Sequence, residues 1–386
     1  MCLVLPPWSS AQSAFTAIVW QFPQTVGRAI INNNADDSIT PKARRDHVMP
    51  LVYPRRRQLA AAEELRVWLA QFVPVATLPY HSHMDSTTVL DLNWMGRPRS
   101  IGAVLFESDG HNAILDPGPA STLETLRAQL QFRGLSVSDL DAILLTHIHL
   151  DHAGASGSLL RENPNLRVFV HSKGAAHLAD PSKLLASAGR LWGDDLQRLF
   201  GETLAVPQEN IQILDGEETV SVGTRKIEVI YTPGHASHHV TYFDEREGVA
   251  FAGDTAGIRI ANGPYIMPAT PPPDIDLAVW EQSFAAILDR QPSKLFVTHF
   301  GYAENPEKHI ADFRERLHLW AEITERAMQS SSDIAVALQF FLEQTQTEMR
   351  EYLSEADSEQ HAFTAGLPLS FLGLARHIRK RSAAPD

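Results

Sequence analysis

Cysteine and positive charge are both scarce in this 386-residue chain. Its single cysteine, Cys2, excludes a disulfide framework and any cysteine-rich structural zinc site. Lysine and arginine number 33 against 46 acidic residues, which gives a formal net charge of −13. Such a charge opposes binding to phosphate backbones and to anionic lipid surfaces. Because cysteine is so scarce, a bound metal ion must be held by histidine and carboxylate side chains.

Long apolar runs are also lacking. No segment of the sequence approaches the ~18 to 20 apolar residues that a membrane-spanning helix needs. The apolar stretch at residues 14–20 has no basic residue before it and follows Pro6 and Pro7, so it matches a secretory signal poorly. We therefore expect a soluble, cytoplasmic protein. The composition that is present is ordinary for a globular chain, 44% hydrophobic and 20% charged, with 17 histidines.

Three regions of the chain differ in composition. Residues 1–85 combine asparagines, basic pairs and scattered prolines with one amphipathic helix at about 58–72. We interpret this region as a poorly structured N-terminal extension, with a docking arm as the alternative. Residues 86–305 mix short β-branched runs with helical stretches. Residues 306–386 show helical spacing alone and predict a helical C-terminal region, whose apolar stripes must be buried against something.

Strands and helices alternate in the middle region, which predicts sheets covered by helices. Ser121 and Glu124 stand at the start of one helical stretch with the spacing of a capping box. The predicted strands are residues 101–107, 113–115, 142–145, 167–170, 227–231, 249–252 and 295–297, with a further strand at 218–222 that forms a hairpin with the one near 227. The predicted helices are residues 122–133, 181–199 and 277–288.

Four side chains that commonly bind metals follow one of these strands. Shortly after the strand 142–145, a window of six positions contains His147, His149, Asp151 and His152. In extended backbone His147 and His149 point to the same side, because residues two apart share a face. Imidazole and carboxylate together suit zinc, iron, manganese or cobalt. One histidine at a strand end would indicate an ordinary polar group, whereas four such residues together indicate a metal site.

Three further candidates each come shortly after another predicted strand. They are His235, Asp254 and His299. The edges of the sheets can bring residues in such positions to one rim, next to the first four.

The order of these motifs resembles the metallo-β-lactamase-fold metallo-hydrolase superfamily, and in particular its glyoxalase II-like and lactonase-like branch, over about residues 86–305. The subfamily stays unresolved. The resemblance implies an α+β fold, a four-layer αββα sandwich followed by the helical C-terminal region, with two metal ions along one edge. It implies that His147, His149 and His235 bind the first ion, that Asp151, His152 and His299 bind the second, and that Asp254 bridges both.

Several other residues receive roles or alternatives. Asp116 matches the first motif of the superfamily, whose aspartate hydrogen-bonds to a metal ligand and orients it. A plain turn-forming aspartate is the alternative. His171 is expected at the surface and His239 in a packing role, while His238 has no assigned role.

The resemblance also implies a mechanism. It is that of a dinuclear metal-dependent hydrolase, with a metal-bridging hydroxide as the nucleophile and Asp151 or Asp254 as the catalytic carboxylate that passes a proton to the leaving group. Zinc is the expected metal, with iron or manganese as alternatives. The stretch after Asp254 lacks a cysteine, which disfavours glutathione thioesters. The alternative functions are a mononuclear iron sulfur-dioxygenase and a β-lactam- or phosphodiester-cleaving member of the superfamily.

The substrate class depends on what overhangs the predicted site. The loop 258–274 and the helical block 183–199 are both rich in apolar residues, which favours a small ester, thioester or lactone over a polyanion. We expect a small-molecule substrate and neither a nucleic-acid nor a membrane partner. The apolar stripes of the C-terminal region need a surface to pack on, and the candidates are the sandwich, the loop 258–274 and a second copy of the chain. The last of these would give a homodimer formed through the C-terminal helices.

Overall fold

The structure, a computed structural model, describes residues 85–260, 263 and 265–383. The predicted N-terminal extension, with its helix at residues 58–72, lies outside the described residues apart from Asp85. All described residues belong to one compact unit. In this part of the chain no helix combines the length and the apolar character needed to cross a lipid bilayer.

The first of two mixed sheets is built from the N-terminal half of the described chain. Its strands are β1 (Ser86–Asp91), β2 (Gly102–Ser108), β3 (His111–Leu115), β4 (Ala142–Leu144), β5 (Arg167–His171) and β6 (Ile211–Leu214), in that spatial order. Strands β1 to β3 pair antiparallel, and β3 to β6 pair parallel. The parallel strands end at the same edge, which is where the histidine-rich run leaves β4.

The second sheet follows the first along the chain. Its strands are β7 (Thr219–Val222), β8 (Arg225–Tyr231), β9 (Val240–Asp244), β10 (Val249–Phe251), β11 (Lys294–Val297) and β12 (Gly301–Ala303), with β12 at one edge and β7 at the other. Strands β7 and β8 pair antiparallel, which confirms the predicted hairpin. Strands β10 and β11 pair parallel, and so again end on the same side.

The central strands of each sheet are buried on both faces, because alternate residues of one strand enter different cores. The edge strand β7 instead alternates exposed and buried residues. In β2, Val104 and Phe106 lie in the core between the sheets. Their neighbours Ala103 and Leu105 point to the opposite face and pack under helices. This explains why the strands appear in the sequence as nearly continuous apolar runs without polar alternation.

Helices cover the outer face of each sheet and complete the predicted four-layer αββα sandwich. Over the first sheet lie α1 (Leu123–Phe132), α2 (Leu150–Ala153), α3 (Ser156–Glu162), α4 (Ser172–Ala179), α5 (Ser182–Trp192) and α6 (Leu196–Phe200). Over the second lie α7 (Leu277–Asp289), α8 (Pro306–Ser330), α9 (Ile334–Tyr352), α10 (Glu355–Ala365) and α11 (Leu367–Ala383).

The apolar stripes of the C-terminal helices are buried, as predicted. The ring of Phe313 on α8 lies 5.7 Å from those of both Trp280 and Phe284 on α7. Tyr265 and Met267, from the loop that precedes α7, are buried in the same core. Helices α8 to α11 therefore pack on α7 and on this loop within a single chain.

The capping box predicted before α1 is wrong. Helix α1 begins at Leu123, and Thr122 precedes it without a side-chain cap. The Ser121 hydroxyl instead donates to the carbonyl of Leu199 at 2.6 Å, and Glu124 pairs with Arg127 one turn on. A tertiary contact to the end of α6 thus replaces the local cap.

Candidate metal centre

Strand β4 delivers the His-x-His-x-Asp-His run to the edge of the first sheet. It ends at Leu144 and α2 begins at Leu150, so the run crosses from strand to helix. The backbone is held on both sides of this crossing. The Thr146 amide donates to the Asp116 carboxylate at 2.8 Å, and the Thr146 carbonyl accepts from the Val240 amide of β9 at 2.8 Å. The crossing is therefore bonded to both sheets.

Three imidazole nitrogens converge to form the first ligand group. Nδ1 of His149 lies 2.9 Å from Nε2 of His147 and 3.0 Å from Nε2 of His235. His235 comes from the loop after β8, so the group spans both sheets. His147 and His235 are buried, and His149 is half-buried at the rim.

A second ligand group lies beside the first. Nε2 of His152 is 3.3 Å from Nε2 of His299, which follows β11. Oδ2 of Asp151 is 3.4 Å from the same nitrogen of His299. Asp151, His152 and His299 thus offer three ligand atoms within 4.8 Å of one another.

Asp254 lies between the two groups. It sits on a 3-10 turn, Gly253–Ala256, directly after β10. Its Oδ2 is 3.5 Å from Nε2 of His235, and its Oδ1 is 3.3 Å from Nε2 of His152. One carboxylate therefore faces both groups, and the structure brings together all seven residues nominated from the sequence.

Hydrogen bonds to backbone carbonyls fix which nitrogen of two histidines faces the site. Nδ1 of His235 lies 2.8 Å from the Ala269 carbonyl, and Nδ1 of His299 lies 2.6 Å from the Ser100 carbonyl. A carbonyl oxygen can only accept, so each Nδ1 carries the proton. Each Nε2 is then the nitrogen that faces the ligand groups and is available to a metal ion.

Asp116 fixes two more histidines through a shared set of hydrogen bonds. Its Oδ2 lies 2.8 Å from Nδ1 of His152 and accepts from the Thr146 hydroxyl at 2.7 Å. Because the Thr146 hydroxyl spends its one proton there, its oxygen accepts from Nδ1 of His147 at 3.0 Å. Asp116 has a left-handed φ of 47° directly after β3, so it forms a turn and also holds a ligand.

The protonation of the groups follows from burial and from the neighbouring charges. Burial lowers the pKa of His149 to about 4 and that of His147 well below its usual value, so both rings are neutral. Burial opposes the charge on Asp254, but His152 and His299 hold the pKa of this carboxyl well below its usual range. Burial likewise opposes a charge on His152, but Asp254 and Asp116 raise its pKa well above the usual value. A cation that binds the Nε2 atom of His152 must displace the proton from that atom.

The donor set fits divalent cations. Among the described residues, Oδ1 of Asp254 is a buried carboxylate oxygen without a hydrogen-bond partner. A buried, ionised oxygen in that state is costly unless a positive charge satisfies it. Burial lowers the pKa of His147, His149 and His235, so these three neutral rings offer lone pairs on one side of Asp254. Imidazole and carboxylate are ligands of zinc, iron and manganese.

Two neighbouring histidines show more than the sequence indicated: His239 packs as expected and also makes a hydrogen bond, whereas His171 is not at the surface. His239 was expected to pack; its Nε2 also accepts from the Asp254 amide at 3.2 Å, so it supports the turn that carries Asp254. His171, expected at the surface, is buried. Strand β5 extends to it and pairs it with Leu214, and its ring stacks on Tyr231 with centroids 4.3 Å apart.

A pocket of about 300 Å³ opens beside the ligand groups. Its lining includes His149, Asp151, His235, Asp254 and His299, together with residues of α5, α6 and the C-terminal helices that are mainly apolar. Lys173, His177 and Lys183 also line it. A larger surface groove of about 810 Å³ runs between α7, α8 and α11. None of the seven ligand side chains lines that groove, so the smaller pocket is the one that belongs to the site.

The predicted walls of the site are partly correct. Leu191, Trp192 and Phe200 line the pocket, in agreement with an apolar wall from the helical block, whereas Leu196 packs against the core. The apolar residues of the loop 258–274 divide between two places. Ile258 faces the pocket, whereas Tyr265 and its neighbours are buried under the C-terminal helices. This division arises because the loop lies between the site and α8.

Comparison with known proteins agrees with the geometry. The family model of the metallo-beta-lactamase superfamily matches residues 96–299, which is more than half of the chain. The chain belongs to this superfamily. The match ends at the last of the seven residues that form the two ligand groups, His299.

Individual superfamily members show how far the similarity extends. A metallo-beta-lactamase fold-containing protein of Sulfurisphaera tokodaii is 32% identical over 165 residues, 42% of this chain and 61% of that protein. The chain thus spans about three fifths of this relative. A hydroxyacylglutathione hydrolase of Aeromonas hydrophila is 26% identical over 58% of this chain and 74% of its own length. The crystal structure of a metallo-beta-lactamase family protein from Thermus thermophilus shares the fold, with a TM-score of 0.56, 20% identity and coverage of 78% of this chain and 95% of that one.

Proposed function

We propose that the chain is a dinuclear metal-dependent hydrolase of a small ester, thioester or lactone. The observation that supports it is the pair of ligand groups that share Asp254, since each group offers three ligand atoms to one cation. His147, His149 and His235 would hold the first ion, Asp151, His152 and His299 the second, and Asp254 would contact both.

The cations and the chain divide the chemistry between them. When bound, two divalent cations lower the pKa of a shared water towards ~7 and polarise a carbonyl oxygen. Asp151 is the more exposed of the two carboxylates, with 22% of its side chain accessible against 6% for Asp254. Asp151 therefore faces the pocket and is the better placed to pass a proton to a leaving group. Asp254 is held by its neighbours as an ionised ligand.

The pocket supports an uncharged reacting group on an apolar substrate. Most of the lining contributed by α5, α6 and the C-terminal helices is apolar, including Leu191, Trp192 and Phe200, although Lys183 also lines the pocket. Such a lining favours an apolar substrate group. Esters, thioesters and lactones have a neutral carbonyl centre that hydroxide can attack, and they tolerate an apolar surface.

Replacing Asp254 with Asn tests the proposal, with Asp274→Asn as the matched control. Asp274 lines the same pocket but contacts Ser237 and none of the seven ligands. We expect Asp254→Asn to lose most of its bound metal and its hydrolytic activity, because the amide removes the charge that both groups share. Asp274→Asn should keep both. Metal is measured by elemental analysis and activity with ester, thioester and lactone panels.

The same analysis separates the proposal from a mononuclear iron sulfur-dioxygenase. Two zinc-like ions per chain support the hydrolase. One iron per chain, unaffected by loss of Asp151 or His152, would overturn it. Equal metal content in Asp254→Asn and Asp274→Asn would show that Asp254 does not join the two groups.

A further inference from the structure

We infer that the pocket beside the ligand groups binds a medium-length acyl chain between α5 and the C-terminal helices. This inference rests on the proposed hydrolysis and names the part of the substrate that the pocket selects. The reacting carbonyl would lie at the ligand groups, and the chain would extend away from them between two apolar walls.

Helix α5 forms the first wall. Ala188 and Leu191 lie four and seven residues after Leu184, so the three share one face of the helix. All three line the pocket. From Leu184 to Leu191 this face is about 10 Å long. The wall is therefore long enough for an extended medium-length acyl chain and not only for an acetyl group.

The C-terminal helices form the second wall. Ala365, at the end of α10, and Leu369, in α11, also line the pocket. The turn between them contains Gly366, with a left-handed φ of +63°. A Cβ added to Gly366 would lie only 3.6 Å from the indole of Trp192. The two walls thus come into contact at Trp192, which itself lines the pocket.

Aromatic rings line the rest of this apolar half. Trp94 and Phe200 both line the pocket, with ring centroids 5.8 Å apart. The indole N–H of Trp94 donates to the Leu199 carbonyl at 2.7 Å. Its one polar atom is therefore satisfied within the protein, and the ring offers an apolar surface. A polar or branched sugar-like group would find poor partners at this end.

The size of the effect follows from the burial of methylene groups. Each methylene removed from water strengthens binding about fourfold when it is fully buried. An octanoyl chain has four methylenes more than a butyryl chain, so even partial burial predicts a preference of tenfold or more. A dodecanoyl chain is longer than the wall between Leu184 and Leu191 and should gain little over octanoyl.

Hydrolysis of a chain-length series is the first test. The metal-loaded protein is assayed with the p-nitrophenyl esters of butyrate, octanoate and dodecanoate. We expect kcat/KM to rise tenfold or more from butyrate to octanoate and then to level off. Leu191→Ser and Ala365→Asp, one on each wall, should each reduce this preference several-fold. Ala186→Ser, exposed on the same helix as Leu191, is the control and should leave it unchanged.

Binding without turnover is the second test. Trp94 and Trp192 line the pocket, so tryptophan fluorescence can follow titration of the metal-loaded protein with octanoate and with butyrate. We expect octanoate to bind at least tenfold more tightly, and Leu191→Ser to weaken it.

The two tests distinguish failure of this inference from failure of the proposed hydrolase. Ester hydrolysis without chain-length dependence, together with equal affinity for the two acids, overturns the acyl site and leaves the hydrolase standing. Octanoate binding that depends on Leu191, with no hydrolysis of any panel substrate, supports the acyl site and overturns the hydrolase. Absence of both overturns both.

Discussion

At the scale of single residues, Asp116 accepts hydrogen bonds from three side chains in different parts of the fold. Its Oδ2 receives the hydroxyl protons of Thr146 and Thr298, at 2.7 and 3.0 Å, and lies 2.8 Å from Nδ1 of His152. One carboxylate thus orients the candidate metal ligand His152 and also joins the loop after β4 to the loop after β11. Neither of the two roles considered from the sequence, ligand orientation or turn formation, excludes the other.

Replacing Asp116 with Asn should weaken metal binding by about 10- to 100-fold and leave the fold intact. His152 and both threonines use Oδ2, and the Thr146 backbone amide uses Oδ1. An asparagine amide therefore either loses the bond from the Thr146 backbone or turns its NH2 group towards all three side chains. The measurement is competition with a chelator of known affinity, alongside a circular dichroism spectrum. Unchanged affinity would reduce Asp116 to a turn residue.

The seven candidate ligands that the structure brings together were chosen from the sequence, but the groups that orient them were not. Histidine and aspartate are residue types that commonly bind metal ions, and the spacing of seven such residues indicated one site. The partners of His235 and His299 are the backbone carbonyls of Ala269 and Ser100. Every residue has a carbonyl, so no sequence pattern marks these two, and only the folded arrangement identifies them.

At the scale of elements, the strands with apolar runs bounded by turns were predicted to within a few residues, but others were missed. All five residues of β9 are buried, including Thr241 and Asp244. Asp244 is tolerated there because its carboxylate pairs with the buried guanidinium of Arg225. A threonine and an aspartate in a short segment suggest a loop. The ion pair of Asp244 with Arg225, nineteen residues away, cannot be inferred from the local sequence pattern.

Helix α8 contacts the turn that carries Asp254 through His309, which makes the stability of this contact dependent on pH. The His309 Nε2 atom lies 2.8 Å from the Ala256 carbonyl, and burial lowers the pKa of this histidine to about 4. An unfolded histidine titrates near 6.5. The unfolded chain therefore binds a proton first as the pH falls, and the free energy of unfolding decreases between about pH 6.5 and 4.

We expect this single group to account for about 3 kcal/mol of that decrease. His309→Gln, which keeps a donor but cannot titrate, should show a shallower loss of stability over the same range. His318→Gln, on the same helix but half-exposed, is the control and should follow the unaltered protein. Denaturant unfolding at a series of pH values gives the three curves, and identical slopes for His309→Gln and the unaltered protein would contradict the assignment.

At the scale of the whole molecule, every ligand lies between His147 and His299, whereas the core that supports Asp254 extends into the C-terminal helices. A chain that starts at Met84 should therefore fold, bind metal and keep its activity. A chain that lacks residues 307–386 should aggregate or lose activity, because Trp280 and Phe284 would lose Phe313 and expose their rings. Size-exclusion chromatography and elemental analysis of both chains provide the measurement. Loss of activity in the first and a soluble, active second chain would show that the predicted boundaries are misplaced.

The contact between α8 and the Asp254 turn also bears on the order in which the protein is made. Helices α8 to α11 follow His299 in the chain, so at roughly 5 to 20 residues per second they leave the ribosome several seconds after the last ligand. During that interval the 3-10 turn lacks His309 and Phe313, and α7 exposes an apolar face. We therefore expect a nascent chain to hold metal loosely, and to be a chaperone substrate, until its final helices dock.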